Sequence, residues 1–211
     1  MNNYYDIASD SGNAYYMPRH RFVSTFLYDL PFGRGQKYLG GVGHAADLAV
    51  GGWRVTGITL AQSGPWLTPY FPSSLSDPSG TFALSRSVKQ QRPDCVAGQS
   101  GYLANPATAD YFNVNAYSIP ASDIGRFGNC GVGILEGPGT VSFSMSVGKN
   151  FPITERIGLR YEAQFANLFN IVNDAPPNTN VASSSFGLIS QSQQVEQGGP
   201  RSIQMMLRLR F

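Results

Sequence analysis

Three stretches of this chain alternate apolar and polar residues with a period of two. Each is about as long as the ~9–11 residues that cross a bilayer as a tilted strand. In the last of them Ile203, Met205, Leu207, Leu209 and Phe211 share one face. Gln204, Arg208 and Arg210 share the other, with Met206 the one lapse. From Arg156 onward, Ile157, Leu159, Tyr161, Ala163 and Phe165 oppose Arg156, Arg160, Glu162 and Gln164. The third sets Val141, Phe143, Met145 and Val147 against Ser142, Ser144, Ser146 and Gly148. Two further stretches are less regular. In Arg21 to Leu30, Val23 and Leu27 spoil the polar face, and Trp53 to Gln62 changes phase near Gly57, where a bulge is expected. The reading is all-β, with about five antiparallel strands near 19–30, 52–66, 140–151, 156–169 and 201–211.

The connections sharpen that reading. Pro152 to Glu155 is a tight turn and Pro31 to Gly52 a moderate, glycine-rich connection. Residues 69–139 and 171–199 are long, polar and full of Pro, Gly, Ser and Asn. Short turns on one side and long loops on the other are the signature of an outer-membrane barrel. On that layout Met1 to Pro18 lies outside, and the chain ends at Phe211 on the periplasmic side. Five strands cannot close a barrel, which needs about eight to fill its interior with side chains. Residues 1–211 are therefore expected to be the C-terminal part of a larger barrel, with transmembrane strands and long extracellular loops. Met1 to Asp6 lacks the basic start and apolar core of an export signal, so the signal is expected upstream.

Composition agrees with strands in an unusual solvent. Charged residues are 13% of the chain, about half the usual share, while 24 Gly and 14 Pro disfavour helix. The net charge is +2 with dispersed basic residues, so no basic patch argues for nucleic acid; Arg201, Arg208 and Arg210 cluster, but on an alternating strand pattern read as one polar strand face.

The order of several local runs resembles the C-terminal region of TonB-dependent outer-membrane receptors. They are Gly125-Arg126-Phe127-Gly128-Asn129, Gly137-Pro138-Gly139, and Lys149-Asn150-Phe151-Pro152-Ile153-Thr154-Glu155-Arg156. Leu159 to Asn170 continues the last of them. The Oar-like branch, whose members carry a carboxypeptidase-regulatory-like domain, is the most similar. Arg19 to Phe22, Leu30 to Gly35, Gly52-Trp53 and Gln62 to Gly64 are similar to the same family's preceding strands. Phe186-Gly187 and Pro200-Arg201 resemble its final hairpin. Phe211, with Leu209 and Leu207 before it, resembles the signal read by barrel-assembly machinery. The resemblance implies a barrel of about twenty-two strands around a plug. It also implies residence in the bacterial outer membrane and energy coupling through TonB. This chain contains neither plug nor TonB-contacting box, so it is expected to be inactive in uptake without them.

Residues that could carry chemistry are few. Cys95 and Cys130, both in the 69–139 loop, are expected to form a disulfide in an oxidising periplasm; the alternative is two unpaired thiols. Two cysteines without nearby histidines fall short of a metal site. His20 is placed at a strand start and His44 in a glycine-rich turn, with no nucleophile elbow beside either. Asp77, Asp94 and Asp123 are scattered loop acids. Gly131-Val132-Gly133 lacks the spacing of a phosphate loop. No catalytic site, cofactor or metal is expected. Arg156, Arg160, Glu162, Gln164, Arg208 and Arg210 are expected to face the lumen, as polar lining or as a docking surface for the plug. The competing reading is a soluble β-sandwich binding module, whose apolar faces would bury each other. A small complete barrel fails on strand count unless Tyr4 to Tyr16 and parts of the long loop supply extra strands.

Overall fold

The computed structural model describes residues 6–82, 89–154, 156–194 and 198–211. The first five residues, read above as lying outside, and Glu155 of the family-like run fall outside these. The chain divides into two compact units: Arg21–Ala61, Thr140–Asn173 and Gln193–Phe211 in one, and the remainder in the other.

The first unit is a single five-stranded sheet whose strands are neighbours in chain order: β1 (Arg21–Asp29), β2 (Trp53–Gln62), β3 (Thr140–Pro152), β4 (Gly158–Ala166) and β5 (Ser202–Arg210). β3 pairs antiparallel with β4, placing Ser146 opposite Gln164 and Phe151 opposite Leu159. β4 pairs antiparallel with β5, placing Tyr161 opposite Leu207 and Arg160 opposite Arg208. Because the side-chain period is two, this register carries the apolar set of each strand onto one continuous face. Much of that face is open: Leu207 is 66% exposed, and Ile203, Met205, Leu209, Phe22 and Phe26 are exposed as well.

β2 runs without a break through Gly57, and the glycine serves a purpose other than the expected bulge. A Cβ there would collide with the ring of Phe26 on β1. The gap lets that ring lie across β2 and stack on Phe143 of β3, with centroids 6.3 Å apart. One missing side chain thus lets an aromatic ladder span three strands.

Two sequence expectations shift in detail. β4 begins at Gly158, so Arg156 belongs to the turn and not to a strand face. There the carbonyl of Ile157 accepts from Ile153 N and Thr154 N, both at 2.9 Å. His44 does not sit in an open turn: it begins the short helix α1 (His44–Val50) within the β1–β2 connection.

The second unit gathers the segments read as long polar loops. Its strands are short ribbons, among them Trp66–Leu67 with Leu135–Glu136 and Tyr102–Ala107 with Asp110–Phe112. Beside the first ribbon, Gly64 meets the backbone of Gly137 so closely that a Cβ would strike its carbonyl. Leu67, Phe112, Leu135 and Phe186 form a buried cluster, flanked by Tyr111, Tyr117, Ile134 and Val181. Residues 174–192 are knitted to residues 62–139 by backbone bonds. These include Tyr70 N to Thr179 O (3.0 Å), Tyr111 N to Gly187 O (3.0 Å) and Ile189 N to Thr108 O (2.7 Å). Segments far apart in sequence therefore share one core.

Candidate functional site

The polar face of the sheet grows from the register just described. On β4, Arg160 Nη2 donates to Glu162 Oε2 at 2.9 Å, and Gln164 Nε2 donates to Glu162 Oε1 at 2.9 Å. Residues two apart on a strand point the same way, so one carboxylate gathers both neighbours. Arg54 of β2 meets Asp29 of β1 through Nε at 2.6 Å and Nη2 at 3.1 Å, and Thr56 meets Ser146 across β2 and β3 at 2.6 Å. Arg208 stands opposite Arg160, and Arg210 opposite Gly158. Like charges opposed across a ladder repel. The cost stays small only where water or anionic groups surround the guanidiniums. Of the six residues read from sequence as lining, five share this polar face, and Arg156 lies in the turn at its end.

Two asparagines to which the sequence reading gave no role fasten the loop-bearing end of the sheet. Asn167, with a left-handed backbone (φ 47°), donates from Nδ2 to the carbonyls of Ile171 and Gly199, both at 2.8 Å. Asn173 bonds Val141 N (2.7 Å) and Val141 O (3.0 Å), and reaches Gly198 O at 3.1 Å. Both are almost wholly buried. Asparagine suits such junctions because one amide offers both donor and acceptor.

In the loop unit, Cys95 and Cys130 are joined by a disulfide with Cα atoms 5.1 Å apart. Around the bridge Asp94 takes a two-pronged ion pair from Arg126, with both nitrogens 2.7 Å from its oxygens. Asn129 N also donates to Asp94 at 3.0 Å, and Asn129 Oδ1 accepts from Cys95 N at 2.7 Å. The Arg126 guanidinium holds the Asp94 carboxyl below its ordinary value of 3.8. A depressed carboxylate contributes stability above the unfolded value and loses it as pH falls through the folded one. The loop around the bridge is therefore expected to hold its amide protection from neutral pH down to about 4 and to lose part of it below 3.8. Hydrogen exchange of residues 94–130 at graded pH measures this. An Arg126→Gln variant should flatten the response, and an equal response in both proteins rules the pair out as its source.

Elsewhere in the unit Arg92, 5% exposed, pairs with Asp10 at 3.1 Å and donates to Ser9 O at 2.7 Å. Burial pushes the Tyr117 hydroxyl up to about 12. Asp77 accepts from Gln91 Nε2 at 2.6 Å, and its carbonyl accepts from Asp123 N at 3.0 Å. Among the described residues no group of three or more His, Cys, Asp or Glu is arranged to hold a metal. His20 bonds Ser63 through its backbone N–H (3.0 Å to Oγ) and carbonyl (2.9 Å from N).

An antiparallel meander with one largely open apolar face and one charged face, joined alternately by short turns and a folded loop unit, is the wall of a transmembrane β-barrel. The chain belongs to the outer membrane beta barrel domain family, whose model matches residues 1–204. No curated protein and no solved structure matches the chain.

Proposed function

We propose that the chain is the C-terminal wall segment of a TonB-dependent outer-membrane receptor, and that it presents the folded loop unit at the cell surface. The observation that carries this is the two-faced five-stranded meander within a family of outer-membrane barrels. The apolar face meets lipid. The face bearing Arg54, Arg160, Glu162, Gln164, Arg208 and Arg210 lines the lumen, where a plug and water offset its surplus of guanidiniums. Leu207, Leu209 and Phe211 present the strand that barrel-assembly machinery reads; Phe211 is 97% exposed and available to it. Uptake requires the rest of the barrel, the plug and TonB. This chain supplies scaffold and surface recognition rather than catalysis, and no nucleic acid takes part.

The intact barrel, isolated from outer membranes as a heat-modifiable band and analysed whole by mass spectrometry, is expected to contain a plug and a TonB-contacting segment. A closed barrel lacking both defeats the receptor reading. The orientation of the wall has its own test. Leu207→Arg places a charge in mid-strand on the lipid face and should cost ~2–4 kcal/mol in phospholipid vesicles. Gln204→Arg, on the opposite face, should change stability by less than about 0.5 kcal/mol, the range of an innocuous surface change. Denaturant titration in vesicles compares the two, and the reverse ranking inverts the assignment of faces.

A further inference from the structure

Among the described residues, the apolar face of the sheet contains one cation. Lys149 lies on β3 between Val147 and Phe151, opposite Tyr161, and is only 4% exposed. Its ammonium does not reach outward. Nζ donates to the carbonyl of Leu48 at 2.7 Å and approaches that of Asp47 at 3.5 Å. The rings of Trp53 and Phe151 flank it, 5.3 and 4.9 Å from Nζ to centroid. The C-terminal end of α1 is therefore folded over the outward face of the wall, at the end of the sheet that carries the short connections.

The carbonyls at that helix end are nearly all engaged by protein. Asp47 O accepts from Gly51 N (2.9 Å), Leu48 O from Lys149, and Ala49 O from Trp53 Nε1 (2.9 Å). A helix end in bulk water has no need of such partners. One close to hydrocarbon must find them, because an unpaired polar group there costs several kcal/mol. The depth is bounded from the other direction too. A charge on the lipid face is expensive at the midplane and nearly free at the interface. Aromatic residues cluster at the same level: Trp53 packs edge-on to Tyr161 at 6.3 Å, and Tyr28 is exposed on the same face. Beyond α1 the connection offers exposed Tyr38, Leu39 and Leu48, with Lys37 beside Tyr38 and Arg34 nearby in the chain.

We propose that the β1–β2 connection is an interfacial anchor. It lies in the phospholipid headgroup layer, with Leu48, Tyr38 and Leu39 dipping toward the acyl chains and Arg34 and Lys37 meeting headgroup phosphates. Lys149 is the clasp that holds it against the wall. The proposal continues the lipid-facing surface past the strand ends, and it rests on the apolar face meeting lipid.

The test places nitroxide labels one at a time at Leu48→Cys, Leu207→Cys and Ala182→Cys in the exported protein, reconstituted in phosphatidylethanolamine and phosphatidylglycerol vesicles. The disulfide-bonded native cysteines do not compete for label. Power saturation with oxygen and a water-soluble nickel complex gives the depth of each label. Leu207 should read as hydrocarbon, the loop position Ala182 as water, and Leu48 at phosphate depth. Leu48 reading as Ala182 does, while Leu207 stays in hydrocarbon, overturns the anchor alone. Leu207 in water overturns the orientation on which it stands. Lys149→Met keeps the side-chain bulk and removes the donor. It should raise nickel accessibility at Leu48 to the Ala182 level while Leu207 remains in lipid. An unchanged Leu48 reading in that variant removes Lys149 from the role of clasp.

Discussion

Replacing Phe112 by alanine is expected to unfold the loop unit locally while leaving the five-stranded sheet inserted and heat-modifiable. Phe112 is 0% exposed and sits at the centre of the loop core. Ring centroids of Tyr111, Tyr102 and Phe186 lie 5.0, 6.0 and 6.4 Å from its own. Truncating a buried phenylalanine forfeits its transfer free energy and leaves a cavity that neighbours fill only partly, at a cost of ~3–5 kcal/mol. Leu67, Leu135 and Phe186 pack in one cluster with it, so a cavity there loosens the contacts of all three. Limited proteolysis of the variant in intact outer membranes should cut within residues 62–139 or 174–192 at least a hundredfold faster than in the parent. Phe112→Leu, which keeps most of the volume, should fall between the two. Equal protease resistance of Phe112→Ala and parent contradicts a shared core.

Loss of the Cys95–Cys130 bridge has the next largest expected effect. The bridge joins residues 35 positions apart. Releasing a loop of that length returns chain entropy worth ~4 kcal/mol to the unfolded state. Part of the junction persists without it, because Arg126, Asp94 and Asn129 hold the same corner by hydrogen bonds. Replacing both cysteines by serine should therefore raise amide exchange throughout 94–130 without exposing Phe112 to the same degree. Combining the serine pair with Arg126→Gln should free the corner altogether. If the double-serine protein exchanges like the parent, the bridge constrains nothing that its neighbours do not already hold.

The strands were legible because a membrane wall imposes its solvent on every second residue. The clean periods at 140–151 and 201–211 meet β3 and β5 within a residue or so, and even the irregular stretch from Arg21 forms β1. Boundaries were read too long where the pattern continued into a turn: Arg156 and Ile157 keep the alternation yet belong to the connection between Pro152 and Gly158. The loop unit was not legible. Its ribbons are mostly two or three residues long, too short for a period, and its core pairs Phe112 with Phe186 across more than seventy positions. The cysteines gave the one local hint of order there. Lys149 was passed over because a single cation in an apolar column reads as a lapse. Its partner helix, His44-Ala45-Ala46-Asp47-Leu48-Ala49-Val50, hides between glycines. The good helix formers Ala and Leu within it were the available signal.

With the loop unit outside, as proposed, the common core of residues 62–139 and 174–192 would also bear on how an immune system or a phage meets the protein. What such an agent would contact is a discontinuous epitope, contributed jointly by two stretches of chain separated by a hairpin of the wall. Antibodies raised against a linear peptide from either stretch would see a shape that the folded unit does not display. A point change in one stretch, such as at Phe186 or Val181, can alter the relief presented by the other. For vaccine grafting or loop exchange, the transferable object is the pair together with its disulfide.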